Sequence, residues 1–165
     1  ANITANKTVG GELSVRITRA TRVAAIEFKN LVVDGKAITG RIDATIQSRT
    51  GGITAAGTCL ITTADVGTVS GTFTLQIDNA GKLTFTTAAL TMVSGATSQL
   101  VTLTDVLYNP MTTASFLPTA GTAGFNVGND ALLMTFVTQT PTNGTVQVKV
   151  GTGTAGTYQI PDLVP

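Results

Sequence analysis

The sequence predicts an all-β fold: an antiparallel β-sandwich or jelly-roll-like single domain with nine to ten strands and an extended N-terminal strand. Three observations predict it. About one residue in five is Thr, whose β-branched side chain packs well on a pleated sheet. Only 12% of the residues are charged, about half the usual share, so long surface helices lack their usual Glu, Lys and Arg. Finally, apolar and polar residues alternate over long stretches, which is the period of a β-strand.

The alternation is clearest at residues 36–49 and 68–78. The apolar positions are Ile38, Gly40, Ile42, Ala44 and Ile46 in the first stretch and Val69, Gly71, Phe73, Leu75 and Ile77 in the second. The intervening positions hold Thr, Ser, Gln or charged residues, and one dry face with one wet face is typical of antiparallel strands. Asp78–Gly81 predicts a tight turn. Residues 68–93 therefore predict a β-hairpin, with a bulge near Thr87–Ala89 where the apolar phase slips by one residue.

The remaining strands are predicted from weaker patterns. They cover residues 12–19, 22–33 with a phase change near Asn30, 53–63, 98–108, 131–139, 144–150 and 156–160. The run at 131–137 fits either a strand buried on both faces or a short core helix, and its neighbours favour the strand. Residues 109–130 contain two Pro and several Gly, which predicts a long loop with a short helical turn near 111–116. So many short strands favour a sandwich or jelly roll.

The N-terminal segment is predicted to be a separable strand, which divides the chain into an extension at 1–10 and a sandwich domain at 11–165. Alternation begins at the first residue and is interrupted at a Gly pair, which provides a hinge. Such a strand pairs either with its own sheet or with the edge of a neighbouring copy. The candidate assembly residues are Ile3, Ala5, Val9, Gly10 and Gly11.

The residue inventory argues against an enzyme. The chain has no His and a single Cys, which excludes His-dependent nucleophiles, His-ligated metals and thiolate clusters. We predict no catalytic residue, no cofactor and no metal site. Glu27 and Asp43 are a candidate carboxylate pair, but the neighbouring Lys29 and Arg41 favour an ordinary cross-strand charge arrangement. Cys59 is predicted to be a small buried apolar residue.

Charge and composition narrow the partners. The net charge is +1, with +4 in residues 1–50 and −3 in the rest, a dipolar layout able to orient head-to-tail packing of copies. Basic residues alternate with acids, which argues against nucleic acid, and no stretch is long and apolar enough to predict a membrane span. Glycans remain possible partners, although few aromatic platforms are present. Asn2, Asn6 and Asn143 begin N-x-[ST] sequons and are candidate glycosylation sites, though such sequons arise easily in a Thr-rich chain.

These observations favour a non-enzymatic, extracellular structural subunit that assembles with copies of itself, as a filament or pilus, a surface array or a virion coat. The expected mechanism is edge-to-edge strand pairing with burial of small and β-branched residues between copies, and N-terminal strand exchange is one form that this pairing could take. The alternative is a secreted adhesion or carbohydrate-binding β-sandwich module. An N-terminal Ala fits a secreted product after signal cleavage, and it equally fits removal of an initiator Met.

Overall fold

The computed structural model describes residues 9–33, 35–109 and 117–160. It contains eleven strands and one helical turn. The strands are β1 (Val9–Thr18), β2 (Val23–Val33), β3 (Lys36–Arg49), β4 (Gly52–Thr63), β5 (Gly67–Asp78), β6 (Leu83–Ser94), β7 (Thr97–Tyr108), β8 (Ala120–Val127), β9 (Asp130–Phe136), β10 (Thr145–Val150) and β11 (Gly156–Gln159). The helical turn is α1 (Thr140–Asn143).

All eleven strands belong to one open antiparallel sheet, in which each strand pairs with the strand before and after it in sequence. The prediction of an all-β antiparallel fold is therefore confirmed, whereas a sandwich or jelly roll is not. Strand β8 corrects the prediction of a loop over 109–130, because Ala120–Val127 pairs with β7 and β9. Its Gly and other small residues give little contrast between apolar and polar positions, so the period-two pattern of a strand is weak there. The helical turn near 111–116 lies outside the described residues.

The ladder registers divide the sheet into two faces of opposite character. The apolar face carries the row Ile42, Cys59, Gly71, Leu90 and Val101 across β3–β7. Across β2–β6 as described, charged residues occur on this face only at strand ends. Every strand contributes large apolar side chains to this face. Because the strands pair in register, side chains that alternate along each strand line up across the sheet as one continuous apolar surface.

The polar face is wetted mainly by Thr. Five Thr lie side by side across β5–β9: Thr74, Thr87, Thr104, Thr122 and Thr135. Cross-strand Thr pairs of this kind stabilise a sheet modestly, and the hydroxyls of Thr62 and Thr68 lie 3.0 Å apart on β4 and β5. The high Thr content therefore supplies an uncharged, hydrated outer surface.

The hairpin of β5 and β6 forms as predicted. The carboxylate of Asp78 accepts hydrogen bonds from the N–H groups of Ala80 (2.8 Å) and Lys82 (2.9 Å), and Gly81 has φ 78°. The register shifts between Thr74 and Leu75 because β6 carries an extra residue, Thr86, directly before the predicted bulge region. A second predicted irregularity is confirmed at Asn30, whose φ is 51° and where the pairing of β2 with β3 shifts.

A small group of buried side chains, called here the closed core, belongs to β7, β8, β10 and α1. Val106 is 0% exposed and Val146 is 1% exposed, and Ala123 is also buried. Thr140 is buried, and its hydroxyl both accepts and donates a hydrogen bond. Its Oγ1 accepts from the N–H of Val137 (2.8 Å) and donates to the carbonyl of Thr145 (2.6 Å). This core belongs to the C-terminal half, while the apolar face of the N-terminal half has no comparable buried cluster among the described residues.

Candidate assembly surface

The first strand is an exposed edge of the sheet. Among the residues that the structure describes, strand β1 pairs with β2 alone, so half of its backbone donors and acceptors point away from that partner. Its apolar residues Leu13, Val15 and Ile17 are 52%, 59% and 65% exposed. They sit beside Phe28, Ile26 and Ala24 of β2 and continue the apolar face to the edge. A long edge with exposed apolar side chains is typical of a surface that pairs with another strand.

An apolar trough adjoins this edge. It runs over the apolar face from β2 to β6 and has a volume of about 440 Å³. Its lining is aliphatic or aromatic apart from the Cys59 thiol, and Ile26, Ile42, Phe73 and Leu75 contribute to it. The trough is an open surface made of residues that elsewhere form protein cores.

Three aromatic rings mark the boundary between the trough and the closed core. Phe73 and Phe85 lie with ring centroids 6.4 Å apart, and Phe85 and Tyr108 lie 6.1 Å apart, both pairs edge to face. This geometry suits the charge distribution of aromatic rings. Burial raises the pKa of the Tyr108 phenol, which favours its uncharged form.

Two Gly residues on the strands that carry the trough allow neighbouring backbones to approach closely. At Gly71, whose φ is 153°, a Cβ atom would lie 2.0 Å from the carbonyl oxygen of Ala89. A Cβ atom at Gly57 on β4 would lie at the same distance from the carbonyl oxygen of Asp43. Gly in a strand interior often marks a close approach of another backbone.

Cys59 lies in the trough lining and is half-buried. It is thus a small apolar residue as expected, but it faces an open trough and not a closed core. Burial raises the pKa of its thiol, so the group is less readily ionised than a free Cys.

The polar face of β1–β3 carries a charge network. The guanidinium of Arg41 donates two hydrogen bonds to Asp43, at 2.6 and 2.7 Å, and this holds the pKa of the Asp43 carboxyl below its ordinary value. Lys29 lies 3.7 Å from Glu27 and 3.4 Å from Glu12. Of these pairs, Lys29–Glu12 joins two strands, whereas Arg41–Asp43 lies within β3 and Lys29–Glu27 lies within β2. Each carboxylate here has a cationic neighbour.

Three of the predicted assembly residues are described. Val9 and Gly10 pair with Val33 and Val32 of β2, so the strand is already joined to its own sheet at this point. Gly11 has φ 84° and lies at the register shift, where β1 carries a bulge. Ile3 and Ala5 lie outside the described residues.

Of the candidate glycosylation sites, Asn143 is exposed at the end of α1, and its Oδ1 accepts a hydrogen bond from the N–H of Thr145 at 3.0 Å. Asn2 and Asn6 lie outside the described residues. Within the described ranges, no three Asp, Glu or Cys side chains come together as a metal-binding group. The only helix there is the single turn α1, and no helix in those ranges is long and apolar enough to cross a bilayer.

Sequence patterns alone missed the edge position of Leu13, Val15 and Ile17. Their alternation predicted a strand, but a strand's place in the sheet order leaves no mark on its own sequence. Comparison with protein-family models, with curated proteins and with solved structures finds no match. The candidate surface is therefore defined by its own geometry: an exposed edge next to an open apolar trough.

Proposed function

We propose that this chain is a non-enzymatic structural subunit that assembles with copies of itself outside the cell. The observation that carries the proposal is the apolar sheet face of β1–β6, over which the described chain places no second layer. An apolar sheet face is stable in water when another sheet or a helix packs against it. In this proposal that layer is supplied by another copy.

The size of this face suits a protein interface. Six strands at about 4.8 Å spacing and twelve residues at about 3.3 Å rise cover roughly 1,100 Å². A standard stable interface buries about 800 Å² on each partner. Packing two such faces would complete, between copies, the two-layer sandwich that the sequence predicts, with the sheets about 10 Å apart.

The sheet ends provide a second mode of contact. Strands β1 and β11 are the two edges, and an edge strand is completed by a strand from another molecule. Donation of residues 1–9 to a neighbouring copy remains part of this proposal. Growth through edges and faces together would produce a filament, a surface array or a coat.

Electron microscopy and light scattering of the purified full-length chain test the proposal. The expected result is a polymer or defined oligomer that dissociates on dilution. A chain that remains a monomer at high concentration contradicts it, and a monomer that binds a glycan array supports an adhesion module instead.

A matched pair of variants tests the role of the apolar face. Ile46→Asp places a charge in the trough lining, and Gln47→Asp places the same charge on the adjacent exposed position of the polar face. Assembly should be lost only in the first, because a carboxylate is costly to bury without a partner. Circular dichroism must show that both variants keep their strands. Equal assembly of the two variants contradicts burial of this face.

Deletion of residues 1–9 tests strand donation separately. If the truncated chain assembles as the full chain does, donation of that segment is wrong, while assembly through faces and edges stands.

A further inference from the structure

The edge strand β1 carries a charge pattern that fits another copy of itself. On its polar face it presents Glu12, Ser14 and Arg16, and Leu13, Val15 and Ile17 lie on its apolar face. Glu12 is highly exposed and lies 3.4 Å from Lys29. Arg16 has no ion-pair partner in the described part of the chain. The edge thus offers an exposed anion and an exposed cation four residues apart, on either side of Ser14.

The opposite edge is a poorer pairing strand. Strand β11 has four residues and no charged side chain, and short edge strands are a common protection against pairing. Strand β1 has ten residues, with three exposed apolar side chains. Of the two edges, β1 is therefore the one suited to extended pairing.

Geometry limits the registers in which two β1 strands pair antiparallel. Side chains alternate between faces, so directly opposite residues must have the same parity to keep both apolar faces on one side. Centring the pair on Leu13 places Glu12 opposite Ser14, and centring it on Val15 places Ser14 opposite Arg16. Centring on Arg16 places two cations opposite each other, which is destabilising.

Centring on Ser14 is the register that opposes unlike charges. It places Glu12 of each copy opposite Arg16 of the other, and it places Leu13 opposite Val15. Lys29 lies beside Glu12 in the same copy. The row across the junction is therefore Lys29, Glu12 and Arg16 of the other copy, with charges that alternate in sign. Each copy contributes the same residues, as a two-fold interface requires.

We infer that two copies of this chain pair β1 with β1, antiparallel, about a two-fold axis at Ser14. The inference rests on the proposed self-assembly and names its first contact. The pair forms one continuous sheet of twenty-two strands and joins the two apolar faces into one surface. A dimer of this kind is closed at β1, so further growth uses the apolar faces or the β11 edges.

Disulfide trapping tests the register. Directly opposite residues have Cα atoms about 4.5–5.5 Å apart, which lies within the range that a disulfide spans. Ser14→Cys in a Cys59→Ser background should therefore give a covalent dimer. In this reaction two thiols lose two protons and two electrons to oxidised glutathione, which is reduced to two glutathione molecules.

The matched control is Thr18→Cys in the same background, on the same strand and the same face. In the inferred register the two copies of residue 18 are eight residues apart along the strands, or about 27 Å. The control should not be trapped. Equal trapping of both variants, or none at position 14 in a folded protein, overturns the inference.

Charge exchange tests the complementarity without a covalent bond. Arg16→Glu places two carboxylates opposite each other at both symmetric positions, so the dimer dissociation constant should rise about ten-fold. Adding Glu12→Arg restores opposite charges and should recover most of that loss. No weakening in the single variant, or no recovery in the double variant, contradicts the inference, provided both are folded by circular dichroism. Raising the salt concentration should weaken the native dimer.

The outcomes separate this inference from the proposed function. Polymers without position-14 trapping leave self-assembly standing and remove the β1 pairing. Trapped dimers that never grow further support the pairing and remove the polymer. Trapping at position 14 that appears only after deletion of residues 1–8 shows that the chain's own N-terminal segment occupies this edge, and it overturns the inference for the native chain.

Discussion

The closed core around Val106 provides the most direct test of the packing. Val106 is 0% exposed on β7, and Val127 on β8 is 57% exposed. Both are strand Val residues, and truncation to Ala removes the same two methyl groups. The two substitutions therefore differ in burial and not in chemistry.

The expected cost follows from burial. Each buried carbon contributes about 0.8 kcal/mol of transfer free energy, so two carbons give roughly 1.6 kcal/mol. The cavity left behind adds to this, and the total for Val106→Ala is about 2–3 kcal/mol. Val127→Ala should change the free energy of unfolding by about 0.5 kcal/mol or less, because the side chain is already largely hydrated.

Urea denaturation followed by far-ultraviolet circular dichroism measures both values. With a slope of about 2 kcal/mol per molar urea, Val106→Ala should lower the midpoint by about 1 M or slightly more. The experiment uses dilute protein, because assembly makes apparent stability depend on concentration. Equal midpoints for the two variants would refute the placement of Val106 in a closed core.

Three further predictions address the trough, the helical turn and the charge network. Gly71→Ala should lower the free energy of unfolding by more than about 2 kcal/mol, because its Cβ would lie 2.0 Å from a backbone oxygen; urea midpoints measure it. Thr140→Val should cost about 2–4 kcal/mol in the same assay, because two buried backbone groups lose the Oγ1 that pairs with them. Arg41→Met should raise the pKa of Asp43 toward its ordinary value, because the hydrogen bond that lowers it is lost; carboxyl NMR titration measures the change.

The Gly71 and Thr140 predictions each have a matched control. Gly10→Ala should be nearly neutral, since its Cβ meets nothing within 4 Å. Thr142→Val changes an exposed residue of α1 and should also be nearly neutral. Equal effects within either pair would argue against the proposed cause.

The lowered pKa of Asp43 also determines the direction in which pH changes the free energy of unfolding. The folded-state pKa lies below the unfolded value, so the stabilising contribution is present above the unfolded pKa and is lost as pH falls through the folded pKa. The pair is exposed, so the effect is small and salt-sensitive. An unchanged Asp43 titration in Arg41→Met would contradict the hydrogen-bond explanation.

Strand prediction succeeded where the period-two pattern was uninterrupted. The predicted segments 36–49 and 68–78 match β3 and β5 almost residue for residue. Alternation of apolar and polar residues predicts both that a segment is a strand and which face of the sheet each side chain lies on. It failed at β8, where Gly121, Gly124 and small residues weaken the contrast between the two faces. That strand is identified only by its hydrogen-bonded neighbours.

The sequence by itself determined most of the strands and the two faces of each, and it shows that the chain contains no His. These properties are local, since they depend on side-chain type and on a two-residue period. The tertiary structure decided the order of the strands, and with it which strand became an exposed edge. The sequence favoured a two-layer sandwich. However, the alternation of apolar and polar residues is the same whether the layer that covers the apolar face belongs to the same chain or to another molecule. Pairing in sequence order left Leu13, Val15 and Ile17 at the rim of an open apolar face, because an edge strand lacks a neighbour on one side.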